Sequence, residues 1–151
     1  LRGGAPQAGR LDFDTGLTVS NGGLNAPLDD MARYLTFLLG ACAKDSDASG
    51  VLARDSLEAM WNVVQPIGDQ AAAGPAGERQ GMGLTFFVAE RKAGRFIGHT
   101  GGQKSFVTFF YVHPATSTGA LGAFNTDSAG PVMARVRTHL MDTVTPLFPT
   151  R

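Results

Sequence analysis

The sequence has few of the residues that form disulfides or bind metals. Among its 151 residues there is a single cysteine, Cys42, so no internal disulfide can form. Its three histidines are widely separated and no cysteine pair exists, whereas structural metal sites need several such ligands at short spacings. The sequence therefore predicts neither a metal site nor a cofactor.

An excess of one charge and a long apolar run are also missing. Thirteen basic and thirteen acidic residues are scattered along the chain and give a formal net charge of zero, so no patch for nucleic acid or an anionic membrane is predicted. No apolar run approaches the roughly 20 residues that span a bilayer. The length suits one domain with one hydrophobic core.

Apolar periodicity divides the chain into helical and extended parts. Leu28, Met31, Leu35 and Leu38 recur at three- and four-residue intervals, which predicts a helix ending near Gly40. We predict five segments: a lead-in loop (1–24), a helical segment (25–64) that includes a short helix at 56–61 with Trp61 in the core, a mobile loop (65–80), antiparallel strands (81–125) and a C-terminal helix (128–144).

The strand region carries the strongest pattern. A β-branched and aromatic run, 106–112, and a second apolar run, 119–125, flank a turn cluster at Pro114, which predicts paired antiparallel strands. Residues 81–88 are predicted to form a single strand, followed by a hairpin into a strand that ends at His99. The fold class is therefore α+β, an antiparallel sheet with packed helices.

Residues in this region each have a structural and a functional interpretation. His99 is either a hydrogen-bonded structural residue or a site residue, and Gly101 and Gly102 either form a simple turn or let a ligand approach the backbone. Further expectations concern packing alone: Phe106, Phe109 and Phe110 in the core, and His113 and His139 at the solvated surface.

The run His99-Thr100-Gly101-Gly102, with Phe106, an aromatic strand, Pro114, Gly119 and a strand closing on Asn125, resembles the C-terminal part of the serine β-lactamase and penicillin-binding-protein family. It is most similar to the branch of class C β-lactamases, D,D-peptidases and esterases. Gly22-Gly23-Leu24 before a helix that contains Asp30-Met31-Ala32-Arg33 is similar to the same branch. The resemblance implies the C-terminal portion of the β-lactamase/transpeptidase-like fold.

The resemblance also implies roles for four residues. His99 would contact the substrate carboxylate and the family's tyrosine base, and Thr100 would add a hydroxyl donor. Gly101 would let the substrate backbone lie along the strand, and the N–H of Gly102 would form half of an oxyanion hole. Lys104 and Ser105 stand where relatives often have Pro or Gly, which leaves the loop shape and substrate class open.

The nucleophile and base motifs of that family, Ser-x-x-Lys and Tyr-x-Asn, are absent from this sequence. The lysines Lys44, Lys92 and Lys104 follow Ala41, Ala89 and Gly101 by three positions, and Tyr34 and Tyr111 precede Thr36 and His113 by two. An unactivated hydroxyl is a poor nucleophile, so we expect the chain alone to be inactive.

We therefore predict a fragment of a serine hydrolase for a small acyl substrate, with the N-terminal part of the same polypeptide or a companion chain as its partner. The strand that ends at Asn125 would leave an exposed edge, which favours a homodimer or a swapped oligomer. The alternatives are a non-catalytic binding module of the same fold and a stand-alone α+β domain whose resemblance is accidental. Only the resemblance favours a periplasmic or secreted protein.

Overall fold

The computed structural model describes residues 22, 24–40, 48–67, 79–103 and 105–150. They form one antiparallel six-stranded sheet in which each strand pairs with the strand before it in the chain. The strands are β1 (Gln65–Ile67), β2 (Arg79–Met82), β3 (Phe87–Arg91), β4 (Gly94–Gln103), β5 (Phe106–His113) and β6 (Thr118–Phe124). The helices are α1 (Leu28–Leu38), α2 (Ala48–Val51), α3 (Arg54–Ala59) and α4 (Gly130–His139). Within these residues no helix is long and apolar enough to cross a bilayer.

The single strand predicted for 81–88 is wrong, because two strands occupy this stretch. β2 ends at Met82, β3 begins at Phe87, and Thr85 between them has a φ of +68°. The break is fixed by tertiary contacts: the Leu84 N–H donates to the Met60 carbonyl at 2.8 Å, and a Cβ at Gly83 would collide with that carbonyl. The mobile loop predicted for 65–80 is wrong at both ends, where β1 and β2 lie, and residues 68–78 are outside the described part.

One face of the sheet carries the larger core. The apolar stripe of α1 buries Leu35 and Leu38 against β5 and β6, and Trp61 after α3 is 5% exposed, which confirms its predicted core position. Gly119 of β6 lets α1 lie close, because a Cβ there would come within 3.1 Å of Leu35 Cδ2. The buried members of this core are Leu35, Leu38, Leu57, Trp61, Phe86, Val88, Ile97 and Val112.

The opposite face packs against α4 and the π-helical turn Leu140–Val144 that follows it. Phe96, Phe109 and Tyr111 contact Met141 there. Arg91 of β3 binds Asp142 of the turn through two hydrogen bonds of 2.6 Å, and its side chain is only 9% exposed. Bidentate pairs of this kind fix orientation as well as distance, so this pair ties the C-terminal segment to the sheet.

Two packing predictions for β5 are wrong. His113, predicted at the surface, is 1% exposed, because its ring stacks on Phe96 at 4.6 Å. Phe106, predicted in the core, is 43% exposed, because it stands at the first position of β5, beyond the cover of the helices. The predictions for Phe109 as core and His139 as surface are confirmed, and Phe110 packs half-buried against the larger core. Cys42 and residues 1–21 lie outside the described residues.

Candidate active site

The β4–β5 hairpin carries the four residues of the His99-Thr100-Gly101-Gly102 run. The prediction that a strand ends at His99 is wrong: β4 continues to Gln103 and pairs with β5 along the whole distance, with His99 opposite Phe110 and Gly102 opposite Val107. Gly101 and Gly102 therefore lie inside a strand and do not form a turn. The turn comes afterwards, where Ser105 has a φ of +67°. Lys104 is outside the described residues.

The other side of β4 is only partly covered. β3 pairs with β4 from Gly94 to Gly98, where its first residue, Phe87, is the partner. From His99 to Gln103, no strand of the described chain pairs with β4 on that side. The Gly83–Phe86 segment, which would continue β3 backwards along this edge, instead turns towards Met60. In the described chain, residues 99–103 of β4 are thus paired on one side only, and their unpaired side is called the open edge of β4.

The register decides which backbone groups face this open edge. A Cβ at Gly98 would collide with the carbonyl oxygen of Phe110, so residue 110 directs its backbone groups towards β4 and exchanges hydrogen bonds with its partner His99. In an antiparallel ladder these groups alternate sides from one residue to the next. The N–H and C=O groups of Thr100 and Gly102 therefore point away from β5, into the open edge.

The His99 side chain is exposed but has two defined contacts. Its Nδ1 lies 2.6 Å from the Thr100 carbonyl oxygen. Because a carbonyl can only accept, Nδ1 carries the proton and donates it. In the neutral ring, Nε2 then has a lone pair that can accept a hydrogen bond from a ligand. The ring also stacks on Phe87, with centroids 4.6 Å apart and planes at 28°. Sequence reasoning missed Phe87, whose apolar residue type gives no signal of a site.

The two glycines of the run differ in their surroundings. A Cβ at Gly101 would lie 2.7 Å from Thr108 Oγ1 on the neighbouring strand, so a cross-strand contact already requires a small residue there. At Gly102 the nearest atom would be Val107 Cγ1 at 3.9 Å, an ordinary distance. At the end of the run, Gln103 Nε2 donates to the Gly22 carbonyl at 3.2 Å, which brings Gly22 next to the site.

Burial disfavours the phenolate form of both tyrosines. Burial raises the pKa of Tyr34, whose ring meets the edge of Phe110 at 5.8 Å, and burial also raises the pKa of Tyr111, with the nearby Asp142 carboxylate adding to it. A raised pKa keeps a phenol protonated at neutral pH. The described residues also hold no group of three or more His, Cys, Asp or Glu that could bind a metal.

Comparison with known proteins places this geometry in a family. The Beta-lactamase family profile matches residues 2–145. Among solved structures, a D-stereospecific amidohydrolase from Streptomyces sp. superimposes with a TM-score of 0.51 at 21% identity, covering 74% of this chain and 28% of that one. No curated protein sequence matches.

The chain thus spans about 28% of the solved structure that it resembles. The superposition confirms the predicted α+β fold of β-lactamase/transpeptidase type, and the profile covers nearly the whole sequence. The chain belongs to the beta-lactamase family.

Proposed function

We propose that this chain forms one wall of the active site of a serine hydrolase that works through a covalent acyl-serine intermediate. The observation that carries the proposal is the open edge of β4, where His99, Thr100 and Gly102 have no partner strand on one side among the described residues. Such an edge lets an extended acyl substrate align its own amides with the strand. Family membership supports the same reaction class.

Each residue of the run has a proposed role. When a serine oxygen attacks the substrate carbonyl, negative charge develops on the carbonyl oxygen, and the N–H of Gly102, which points into the open edge, would donate to it. One such donor contributes about 100- to 1000-fold in rate. The free Nε2 of His99 and the Thr100 hydroxyl would bind the substrate carboxylate or the hydroxyl of a tyrosine base. Gly101 leaves the strand surface clear for the substrate backbone.

The nucleophile and the base would come from outside this chain. The sequence has no Ser-x-x-Lys and no Tyr-x-Asn, and both of its tyrosines have raised pKa values. We infer that the chain acts together with the remainder of a longer polypeptide, here called the parent, or with a companion chain. On its own it should not form an acyl-enzyme.

The substrate class is proposed as an ester, a β-lactam or a D-amino-acid peptide, which correspond to esterases, β-lactamases and D-alanyl-D-alanine carboxypeptidases or other penicillin-binding proteins. The solved structural neighbour is by name a D-stereospecific amidohydrolase. We therefore include an amide of D configuration among the substrates to be tested.

The test is covalent labelling of the chain and of the parent with a fluorescent penicillin and a fluorophosphonate, followed by adduct mass. We expect the parent to be labelled and the chain not. In the parent, Gly102→Pro removes one N–H and should slow acylation by about 100- to 1000-fold. Gly102→Ala keeps the N–H and meets no close atom, so it is the matched control.

Three outcomes would contradict the proposal. Labelling of the chain alone would mean that one of its own serines is activated. Equal acylation rates for Gly102→Pro and Gly102→Ala would show that the Gly102 N–H does not stabilise the oxyanion. No labelling of either polypeptide, together with a thermal shift on substrate addition, would favour a non-catalytic binding module.

A further inference from the structure

Phe87 is an aromatic residue whose packing neither core explains. It is half-buried at the first position of β3, yet it belongs to neither of the two hydrophobic clusters of the described residues. Its defined ring contact is the stack on His99. A large apolar side chain that packs on an exposed site residue rather than into the core points to a role at that site.

The backbone that carries Phe87 is firmly held. The preceding residue, Phe86, is 3% exposed in the larger core, and its carbonyl accepts a hydrogen bond of 2.9 Å from the Gly83 N–H. Between them, Thr85 has a left-handed φ that persists only where surrounding contacts determine it. On the other side, Phe87 is already paired with Gly98 of β4. The backbone of Phe87 is therefore held both by the buried residue before it and by its pairing with β4.

The stack and the hydrogen bond together restrain the His99 imidazole. The bond from Nδ1 to the Thr100 carbonyl fixes the ring edge, and the Phe87 face fixes the ring plane. An exposed histidine without such contacts samples several rotamers, and in water a neutral imidazole favours the proton on Nε2. Because the His99 ring is already restrained before a ligand binds, binding costs less side-chain entropy.

We propose that Phe87 is a positioning residue for His99, holding it in the Nδ1–H form with Nε2 directed at the open edge of β4. In the neutral ring Nε2 then accepts from a hydroxyl, and in the protonated ring it donates to a carboxylate. The role of Phe87 in turnover rests on the proposed function, whereas its effect on the His99 tautomer does not.

The direct test is ¹⁵N NMR of the histidine rings in the chain as it stands. In the wild type we expect His99 in the Nδ1–H tautomer, with through-space contacts between its ring and that of Phe87. Phe87→Leu and the β-branched Phe87→Thr should shift the population towards Nε2–H, and Phe87→Trp should restore it. Phe106→Leu, which removes an exposed phenyl group from the same sheet, is the matched control and should change nothing.

The buried His113 ring provides an internal check of folding in every variant, because its Nε2 donates to the Ala93 carbonyl. An unchanged His113 signal with an unchanged His99 tautomer in both Phe87→Leu and Phe87→Thr would overturn the positioning role. A wild-type His99 protonated on Nε2 would overturn it as well.

The kinetic test uses the parent, where Phe87→Leu should slow acylation by about tenfold or more, since small misplacements of site groups have effects of that size. A tautomer shift without any rate change would limit Phe87 to a structural contact. If the parent forms no acyl-enzyme at all, the proposed function fails, while the tautomer ratio still decides whether Phe87 positions His99.

Discussion

Thr85 is the most strained residue of the described chain, because a β-branched side chain occupies the left-handed region at φ +68°. This conformation brings its Cβ close to the following carbonyl and costs about 1–2 kcal/mol for a residue other than glycine. The contacts of Leu84 with Met60 and of Gly83 with Phe86 compensate for the cost. The left-handed turn at Thr85 thus separates β2 from β3 and leaves the edge of β4 open.

Thr85→Gly should stabilise the protein, because glycine adopts this φ without strain. We expect the free energy of unfolding to rise by about 1 kcal/mol, less what glycine adds to the entropy of the unfolded chain. The measurement is the urea midpoint at unchanged slope. Thr36→Gly in the exposed face of α1 is the matched control, and it should lower stability by roughly 0.3 kcal/mol. A loss of stability in Thr85→Gly would show that φ is not the source of strain.

His113 joins two turns through a buried chain of hydrogen bonds. Its Nε2 donates to the Ala93 carbonyl at 3.0 Å in the β3–β4 turn, so Nδ1 is free to accept from the Thr116 hydroxyl at 2.8 Å after β5. The Thr116 oxygen in turn accepts from Thr118 at 2.7 Å. In the neutral imidazole both ring nitrogens therefore have hydrogen-bond partners.

The burial of His113 makes the stability of the protein depend on pH. Burial lowers the pKa of His113 below its ordinary 6.5, although the hydrogen bond to the Ala93 carbonyl opposes the shift. Between pH 6.5 and the lower folded pKa, the unfolded chain binds a proton that the folded chain does not. The free energy of unfolding is therefore greatest above pH 6.5 and falls as the pH drops from there to the folded pKa. Below the folded pKa both states are protonated and the loss is complete.

The check compares urea midpoints of the wild type and His113→Gln between about pH 7.5 and 5. The wild type should lose stability over this range, and the variant should lose less, because it lacks the buried imidazole of His113. Parallel profiles for the two proteins would exclude His113 as the source.

At the scale of single elements, two of the glycines in β4, Gly98 and Gly102, have opposite steric surroundings. Gly98 is buried, and a Cβ there would strike the Phe110 carbonyl and approach the Tyr111 backbone, neither of which can move without breaking the ladder. Gly102 faces open space. We expect Gly98→Ala to cost about 1–3 kcal/mol or more, as overpacking does. Gly102→Ala should cost much less, because a strand favours alanine over glycine.

Chemical denaturation of the two variants measures this difference. Equal midpoints would mean that the register of β4 against β5 differs from the one described. If Gly102→Ala destabilises the protein, another group must lie against residue 102.

The elements themselves could be predicted where local pattern and tertiary packing agree. The stripe of α1 and the alternating runs of β5 and β6 are such cases, since the residues that set the period are also those that pack. The break between β2 and β3 could not be predicted, because Leu84 and Thr85 suit a strand and the contact with the Met60 carbonyl has no local signal. The strand end predicted at His99 is wrong for the converse reason: the following glycines suggest a break, but cross-strand pairing carries β4 through them to Gln103.

The candidate site also has features that the sequence predicts and features that depend on contacts between strands. The resemblance pointed to His99, Thr100, Gly101 and Gly102, and the structure places all of them on one strand beside an open edge. Phe87 and the tautomer of His99 depend on contacts between strands, which no spacing in the sequence encodes. The burial of His113 has the same origin, because its partners come from two separate turns.

At the scale of the whole molecule, the sheet ends at β6 without a covering strand in the described chain. Next to this edge, Ala32, Leu35 and Thr36 of α1 and Gly119 to Leu121 of β6 line a shallow groove. An uncovered edge of seven residues offers a row of unpaired amides to any other strand. We expect this edge to mediate association of the chain with itself, and in the parent to be covered by a further segment.

The register of β6 allows a precise test. A Cβ at Gly119 would lie 3.0 Å from the Tyr111 carbonyl oxygen, so Tyr111 directs its carbonyl towards β6 and bonds its partner Ala120. By alternation, the N–H of Ala120 points to β5 and that of Ala123 points outwards. Ala123→Pro should therefore remove an outward donor and leave the ladder intact.

Sedimentation velocity over a range of concentrations should show weaker self-association for Ala123→Pro than for the wild type, at a similar urea midpoint. Ala120→Pro is the matched control on the same strand. It should lower stability by about 1–3 kcal/mol, because the buried Tyr111 loses the partner of its carbonyl. If Ala123→Pro associates as strongly as the wild type, β6 is not the associating edge. A wild-type chain that stays monomeric at all concentrations would show that the edge is protected without a partner strand.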